Sequence, residues 1–423
     1  MDTGVLIPTG REMKSYACMR SLHRRGIDTV VASEFEHIPH FASRYCSEQV
    51  RLPSPWLDAL DYRDALLDIA RRPEIETIVP VRECDTYLLA RYDDLFEPYV
   101  AIQTPDIETL ENGHDRLQLA ESAQEAGVPV AETRRLSAVS SWDRNVVIKS
   151  RYNILTDAYL DAQPADSLRE IKDIWYVQPG DKPDVASIQR QVGHDPIVQA
   201  YVPQSKKHLY CALWDQGEPL VTYQHEQIRQ NSWVGGGGIY RVSAYSTRVD
   251  TLAEKLLRQL DWSGLACIEY LKDDRTGEWK FLEINPRVWQ SMPEALRAGV
   301  DFPYHYWQTA TGDGSHIESD YAAGVGCHNA YGELSHLLSI FRDRSPFAES
   351  PSFGSTLLDV VASCARTPRF EYIRRDDPKL FVSALREALL SGVTRSRQYM
   401  NGTGPSPSDA EATVSTEELE LDD

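Results

Sequence analysis

The chain opens on an apolar run that ends in glycine, GVLIPTG at residues 4–10, and then changes period. MKSYACMRSLHRRG carries the apolar spacing of one helix face. TVVASE returns to continuous apolar character, DYRDALLDIARR to helical spacing, and TIVPV at 77–81 to a strand. Buried strands alternating with helices predict βαβ units and a parallel sheet, so residues 1–110 are expected to form an α/β domain. The first strand-to-helix turn, Pro8-Thr9-Gly10-Arg11-Glu12, lacks the GxGxxG spacing that lets a dinucleotide pyrophosphate approach the backbone. A substrate contact and a plain tight turn both remain open there.

Further on, HDRLQLAESAQEAG reads as a helix stopped at Gly127, and NVVIKS at 145–150 as a β-branched strand with a single lysine. Residues 153–195 are polar and broken by prolines, which predicts short helices mixed with loops. A new apolar strand starts at Ile197, and HLYCALWD and EPLVTYQHEQIRQ then form an antiparallel pair around Gln216-Gly217. A glycine run, Gly235 to Gly238, interrupts the chain; VDTLAEKLLRQLDW gives a helix closed by Gly264. LACIEYLKD and EWKFLEINPR form a hairpin around Arg275-Thr276-Gly277. Two amphipathic helices, GELSHLLSIFRD and PKLFVSALREALLSGV, follow, and 401–423 has the composition of a disordered acidic tail.

At 423 residues the chain calls for two to three domains, and its net charge of −20 argues against nucleic acid and anionic membranes as partners. No apolar run approaches the ~18 residues of a membrane span and no leader is visible at Met1, so a cytoplasmic location is expected. Only ten of the 44 basic residues are lysine, against 64 acidic ones, a composition that suits a halophilic source, such as a halophilic archaeon, and equally an ordinary acidic mesophilic protein. The seven cysteines show no CxxC spacing, which predicts buried free thiols rather than a zinc site or disulfides.

Strand alternation puts Glu283 and Asn285 on one face of EWKFLEINPR and Leu282 and Ile284 on the other. A turn near Thr276 brings Glu269 opposite Glu283, so two carboxylates and an amide oxygen converge inside otherwise apolar strands. Two such acids repel and one would keep its proton; a hard divalent cation with oxygen ligands relieves that repulsion. A solvated surface hairpin is the competing explanation, and it does not account for acids within apolar strands. Lys149, alone in VVIKS, pays desolvation unless an anion meets it or its stem snorkels to water.

This arrangement, CIEY…FLEINPR, resembles the magnesium-binding hairpin of the ATP-grasp superfamily, whose members include biotin carboxylase, carbamoyl-phosphate synthetase and many carboxylate–amine ligases. The resemblance implies a parallel α/β domain at 1–110, a small ATP-grasp lobe at 111–196, a large lobe with the metal site at 197–315, a helical extension at 316–400 and the tail. It implies ATP and magnesium as cofactors, manganese being an acceptable substitute, with Glu269, Glu283 and Asn285 as metal ligands. Arg287 and Arg229 would neutralise phosphate or acyl phosphate, and Lys149 would reach the α- and β-phosphates. Gln199, Ala200, Tyr201 and Val202 match the hinge that binds adenine through its backbone, and Leu282 the apolar residue packed on the ring. Lys206 and Lys207 are further candidates for nucleotide contact. Lys149 is not followed by the glycine-rich phosphate loop common in that superfamily, so Gly235 to Gly238 is a candidate for part of its task, beside a flexible lid or a loose loop. The implied activity joins a small-molecule carboxylate to an amine through an acyl phosphate; a small-molecule kinase and a non-catalytic nucleotide-binding module are the alternatives. A homodimer is compatible with this reading.

Overall fold

The computed structural model describes residues 3–387 apart from 162, 313–316 and 318–319; the expected tail at 401–423 lies outside them. Strands β1 (Gly4–Pro8), β2 (Asp28–Ser33), β3 (Glu48–Arg51) and β4 (Ile75–Ile78) form a parallel sheet ordered β3-β2-β1-β4. Every residue of β1 is buried, as a central parallel strand covered on both faces must be. Helices α1 (Ser15–Arg24), α2 (Ala59–Ala70), α3 (Glu83–Arg91) and α4 (Asp93–Phe96) belong to this layer, and α5 (Ile107–His114) and α6 (Arg116–Glu125) lead out of it.

A second sheet is small and antiparallel. It consists of β5 (Thr133–Arg135), β6 (Val146–Lys149), β7 (Ile174–Val177) and β8 (Ile197–Ala200), ordered β5-β8-β6-β7. Ile188 of α7 (Val185–Val192) packs with Val146, Ile148, Val177 and Val198 to give the sheet its own core. The residues from Ile197 to Ala200 therefore belong to this sheet rather than opening the large lobe. They pair with β5 and β6 on both edges, and the crossover falls at 201–203.

The third sheet carries β9 (Gln204–Asp215), β10 (Glu218–Ser232), β11 (Gly235–Ser243), β12 (Gly264–Asp273), β13 (Trp279–Asn285) and β14 (Gly326–His328), ordered β13-β12-β9-β10-β11-β14. The glycine run is not a loop: it opens β11 and pairs with the end of β10. Close packing explains the composition, since a Cβ on Gly238 would lie 2.8 Å from the Gln227 side chain. On one sheet face, α8 (Thr247–Gln259) sets Leu252, Leu256 and Leu257 against Tyr210, Ala212 and Ile268. The other face packs Leu209, Cys211 and Cys267 against a core shared with α1, α9 (Met292–Ala298) and α10 (Phe302–Ala310). The extension supplies β14 as well as α11 (Ala330–Arg342), α12 (Phe353–Arg366) and helical backbone at 378–387. No helix of the described residues is long and apolar enough to cross a membrane.

Gly264 starts β12, the strand that carries Glu269, in left-handed backbone (φ +85°), and a Cβ there would stand 2.5 Å from the Gln103 carbonyl oxygen. Gly264→Ala combines an unfavourable φ with a clash against backbone, so it should cost about 2–4 kcal/mol, read as a lower urea midpoint. A loss below about 0.5 kcal/mol, the scale of an ordinary surface change, would contradict that packing.

Candidate active site

The hairpin forms in the expected register: Glu269 lies opposite Glu283, and Cys267 opposite Asn285. The ladder is interrupted once. Tyr270 pairs with Phe281, so Leu282 is an extra residue, a bulge that breaks strict alternation. Phe281 and Ile284 consequently share the α8 face, whereas alternation had put Leu282 there beside Ile284. Leu282 instead joins Ala131, Val202 and Leu271 in a separate apolar cluster, on the same side of β12 as Glu269. Two residues expected at the adenine site, Val202 and Leu282, are thus brought together beside the carboxylates.

Around the acids stands a ring of cations. Lys207, directly across the sheet from Leu271, is ion-paired to Glu269. Glu283 accepts from Asn285 Nδ2 at 3.3 Å, and Asn285 Oδ1 accepts from Arg287 at 3.0 Å. Burial and the facing carboxylate push the Glu269 carboxyl up, with Lys207 opposing. Burial acts the same way on Glu283, but the charges of Arg116, Lys149 and Lys207 outweigh it and hold this carboxyl below its ordinary range. The pair is thus unequal, one carboxyl held down by the surrounding cations and its neighbour pushed up. Carboxylate and amide oxygens are the donor types that a hard divalent ion takes, although here the Asn285 amide turns its Nδ2 to Glu283 and its oxygen to Arg287.

Arg116, which the sequence does not single out, acts by its charge on both Lys149 and Glu283. It opens α6, where an arginine reads as an ordinary surface charge, yet it donates to the Ser150 and Tyr152 carbonyl oxygens at 3.0 and 2.9 Å and so braces the end of β6. Its charge, together with burial, lowers the Lys149 ammonium to about 8. The first domain contributes more. Glu83, at the start of α3, holds Arg287 Nε at 2.8 Å and lies 3.4 Å from His114. Burial opposes ionisation of Glu83, but Arg287 and His114 bring it down to about 2. Lys14 lies 3.3 Å from Glu12 and holds that carboxyl at about 2, with burial opposing and Arg287 helping. The Pro8–Glu12 turn, left open by the sequence, thus places Glu12 within reach of the Arg287 charge. Two bonds fix the strand end against this domain: Thr86 Oγ1 to the Pro286 oxygen (2.9 Å) and Val288 N to the Pro80 oxygen (3.1 Å).

The hinge residues are engaged as follows. Gln199 bonds the Thr133 hydroxyl at 3.1 Å, Ala200 N donates to the Glu132 oxygen, and Tyr201 N donates to the Asn145 oxygen. The Tyr201 ring packs on Phe347 of the extension, with centroids 4.2 Å apart. Lys206 pairs with Glu226 at the surface.

Arg229 is not on the carboxylate face. Gln227 pairs with Arg241 while Arg229 pairs with Tyr240, so a bulge at Ile228 turns Arg229 to the opposite side of the sheet. There it is buried in an ion pair with Glu333 of α11 (2.7 Å) and donates to Ser363 of α12. On the carboxylate face, Arg241 follows Lys207 and Gln227 across the strands and is ion-paired with Glu371.

No family model and no curated protein matches this sequence. Solved structures do match its fold, including the biotin carboxylase domain of Hydrogenobacter thermophilus 2-oxoglutarate carboxylase in complex with MgADP and bicarbonate. That likeness has a TM-score of 0.56 at 17% identity over 76% of this chain and 73% of that one. N5-carboxyaminoimidazole synthetase from Staphylococcus aureus gives 0.55 at 13% identity, covering 77% and 80%. Rhizobium etli pyruvate carboxylase gives 0.57 at 15% identity over 77% of this chain, which spans only 30% of that much longer protein. The chain therefore has the two-lobed ATP-grasp fold preceded by a parallel α/β domain.

The Lys149 ammonium is charged below about 8 and neutral above it. A phosphate bound at Lys149 would keep that charge, so affinity for such an anion, with ATP as the probe, should fall about tenfold between pH 7 and pH 9. Titrating ATP against the protein across this range tests it; Lys149→Arg should flatten the profile, and an unchanged slope in that variant would remove Lys149 from the site.

Proposed function

We propose that the protein is an ATP- and magnesium-dependent ligase that joins a small-molecule carboxylate to an amine through an acyl phosphate. One observation carries this reading: two half-buried carboxyl groups face each other across β12 and β13, with the charges of Lys149, Arg116, Lys207 and Arg287 acting on them. Buried like charges are costly unless a ligand completes the arrangement. A metal–triphosphate does so, because the acids take the cation and the basic groups take the phosphates. The likeness in fold to a biotin carboxylase domain crystallised with MgADP supports the same ligand.

In this reading ATP lies between the small sheet and the large one, its adenine against Val202, Leu282, Leu271 and Ala131. Lys149 and Arg116 approach the phosphates from β6 and α6. Glu269, Glu283 and Asn285 would hold magnesium, which would supply charge neutralisation for phosphoryl transfer. The carboxylate substrate attacks the γ-phosphorus, the bond from that phosphorus to the bridging oxygen breaks, and ADP leaves. Arg287, steadied by Glu83, is placed to neutralise charge on the phosphoryl oxygens. The amine then attacks the acyl carbon and phosphate departs, so no protein nucleophile is needed. Carboxylate and amine would enter from the first domain, whose Glu12, Lys14 and Glu83 face this side.

The test is to incubate the protein with ATP, magnesium and a cell-extract metabolite pool, and to follow ADP, phosphate and new masses. ADP and phosphate in equal amounts with a new amide are expected, and Glu283→Ala should slow turnover on the order of 100-fold or more. A stable phosphorylated product would convert the reading to a kinase. Release of AMP, or ATP binding without turnover on any pool, would sink it.

A further inference from the structure

On the sheet face turned away from the carboxylates, three metal-binding side chains from three elements meet. His328 ends β14, Glu333 lies near the start of α11, and Cys364 lies near the end of α12. One ligand atom from each falls within 4.8 Å of the others. His328 Nδ1 stands 2.6 Å from Glu333 Oε1 and 3.8 Å from Cys364 Sγ. His328 and Glu333 are buried and Cys364 is half-buried, which leaves the thiol side open to an entering ion.

The surroundings hold these groups in place. Arg229 binds the other oxygen of Glu333, the outer-sphere hydrogen bond that orients a ligating carboxylate. Tyr240 stacks on the His328 ring at 4.0 Å and fixes its plane. His328 Nε2 is buried and has no hydrogen-bond partner among the described residues.

The helices that carry two of these groups are inside-out. α11 turns Glu333, His336 and Ser339 inward and shows Tyr331, Leu334, Leu338 and Phe341 to solvent. α12 likewise exposes Leu358 and Val361, and Ile340 and Val360 are the apolar side chains these two helices bury. Apolar burial thus contributes little to docking the pair on the sheet, and polar links hold it.

We infer that His328, Glu333 and Cys364 form a second metal site, for zinc or a similar borderline divalent ion, which staples α11 and α12 to β14. Imidazole, carboxylate and thiolate suit zinc, whereas magnesium takes oxygen ligands. The chain would therefore sort two ions by donor type on the two faces of one sheet. Binding breaks the Sγ–H bond and forms a sulfur–metal bond, with that proton released to solvent. The His328 proton moves from Nδ1 to Nε2, and water completes the fourth position. Two ligand atoms on one zinc stand about 3.3 Å apart, so Glu333 draws back from His328 by less than about 1 Å.

The test uses the full chain, stripped with chelator and reloaded with Zn(II) or Co(II) in excess magnesium. One zinc per chain should remain after dialysis, and the cobalt form should show near-ultraviolet sulfur-to-cobalt charge transfer. Both should vanish in Cys364→Ser, a conservative change at a half-exposed position, and persist in Glu283→Ala. Removing zinc should lower the unfolding temperature of the unaltered chain and leave that of Cys364→Ser unmoved. Equal zinc content in the unaltered chain and Cys364→Ser, or cobalt binding without charge transfer, would overturn the assignment. None of these readouts depends on ATP turnover, so the site and the ligase reading stand or fall separately.

Discussion

Two half-buried carboxyl groups set face to face are the constraint around which this molecule is organised. Glu269 and Glu283 are held together by the β12–β13 ladder, and no arrangement of the hairpin alone neutralises them. Compensation comes from every part of the chain: Lys207 from the neighbouring strand, Lys149 and Arg116 from the small sheet and its preceding helix, and Arg287 anchored by Glu83 of the first domain. The first domain is thereby more than a neighbour, since the position of Arg287 depends on it.

What was legible in the sequence was local. The facing of Glu269 and Glu283 follows from a short turn and strand alternation, and Lys149 stood out as a lysine within a β-branched strand. Lys207 was visible as a basic residue near the hinge, but its partner was not. Arg116, Glu12 and Glu83 reach the site from segments far away in sequence, and nothing in their own neighbourhoods separates them from surface charges. The helix-to-strand alternation of the first domain was equally readable, because each element carries its own period.

The two misplacements share one structural setting. Strict alternation puts Leu282 on the wrong face, the resemblance alone puts Arg229 at the phosphates, and each residue lies at or just past a bulge. A bulge changes parity without changing composition, so the pattern of apolar and polar residues barely records it. In β13 the change carries Leu282 to the side of Val202; in β10 it commits Arg229 to the extension. The glycines after β10 do not read as a strand because β propensity is low for glycine, while Asn231, Gln290 and Gln227 leave little room for a Cβ at Gly236, Gly237 and Gly238 in turn.

The Leu282 bulge also bears on how this chain can be compared with others. Removing that one residue would leave Glu269 opposite Glu283 and Tyr270 opposite Phe281, a more regular ladder with both faces intact. The extra residue serves no pairing; it places one leucine side chain beside Val202. Aligning such a strand residue for residue with an unbulged one displaces either the apolar contact or the metal ligands. Correspondence has to be judged by which face a side chain occupies, and at 13–17% identity the faces hold information that position numbers have lost.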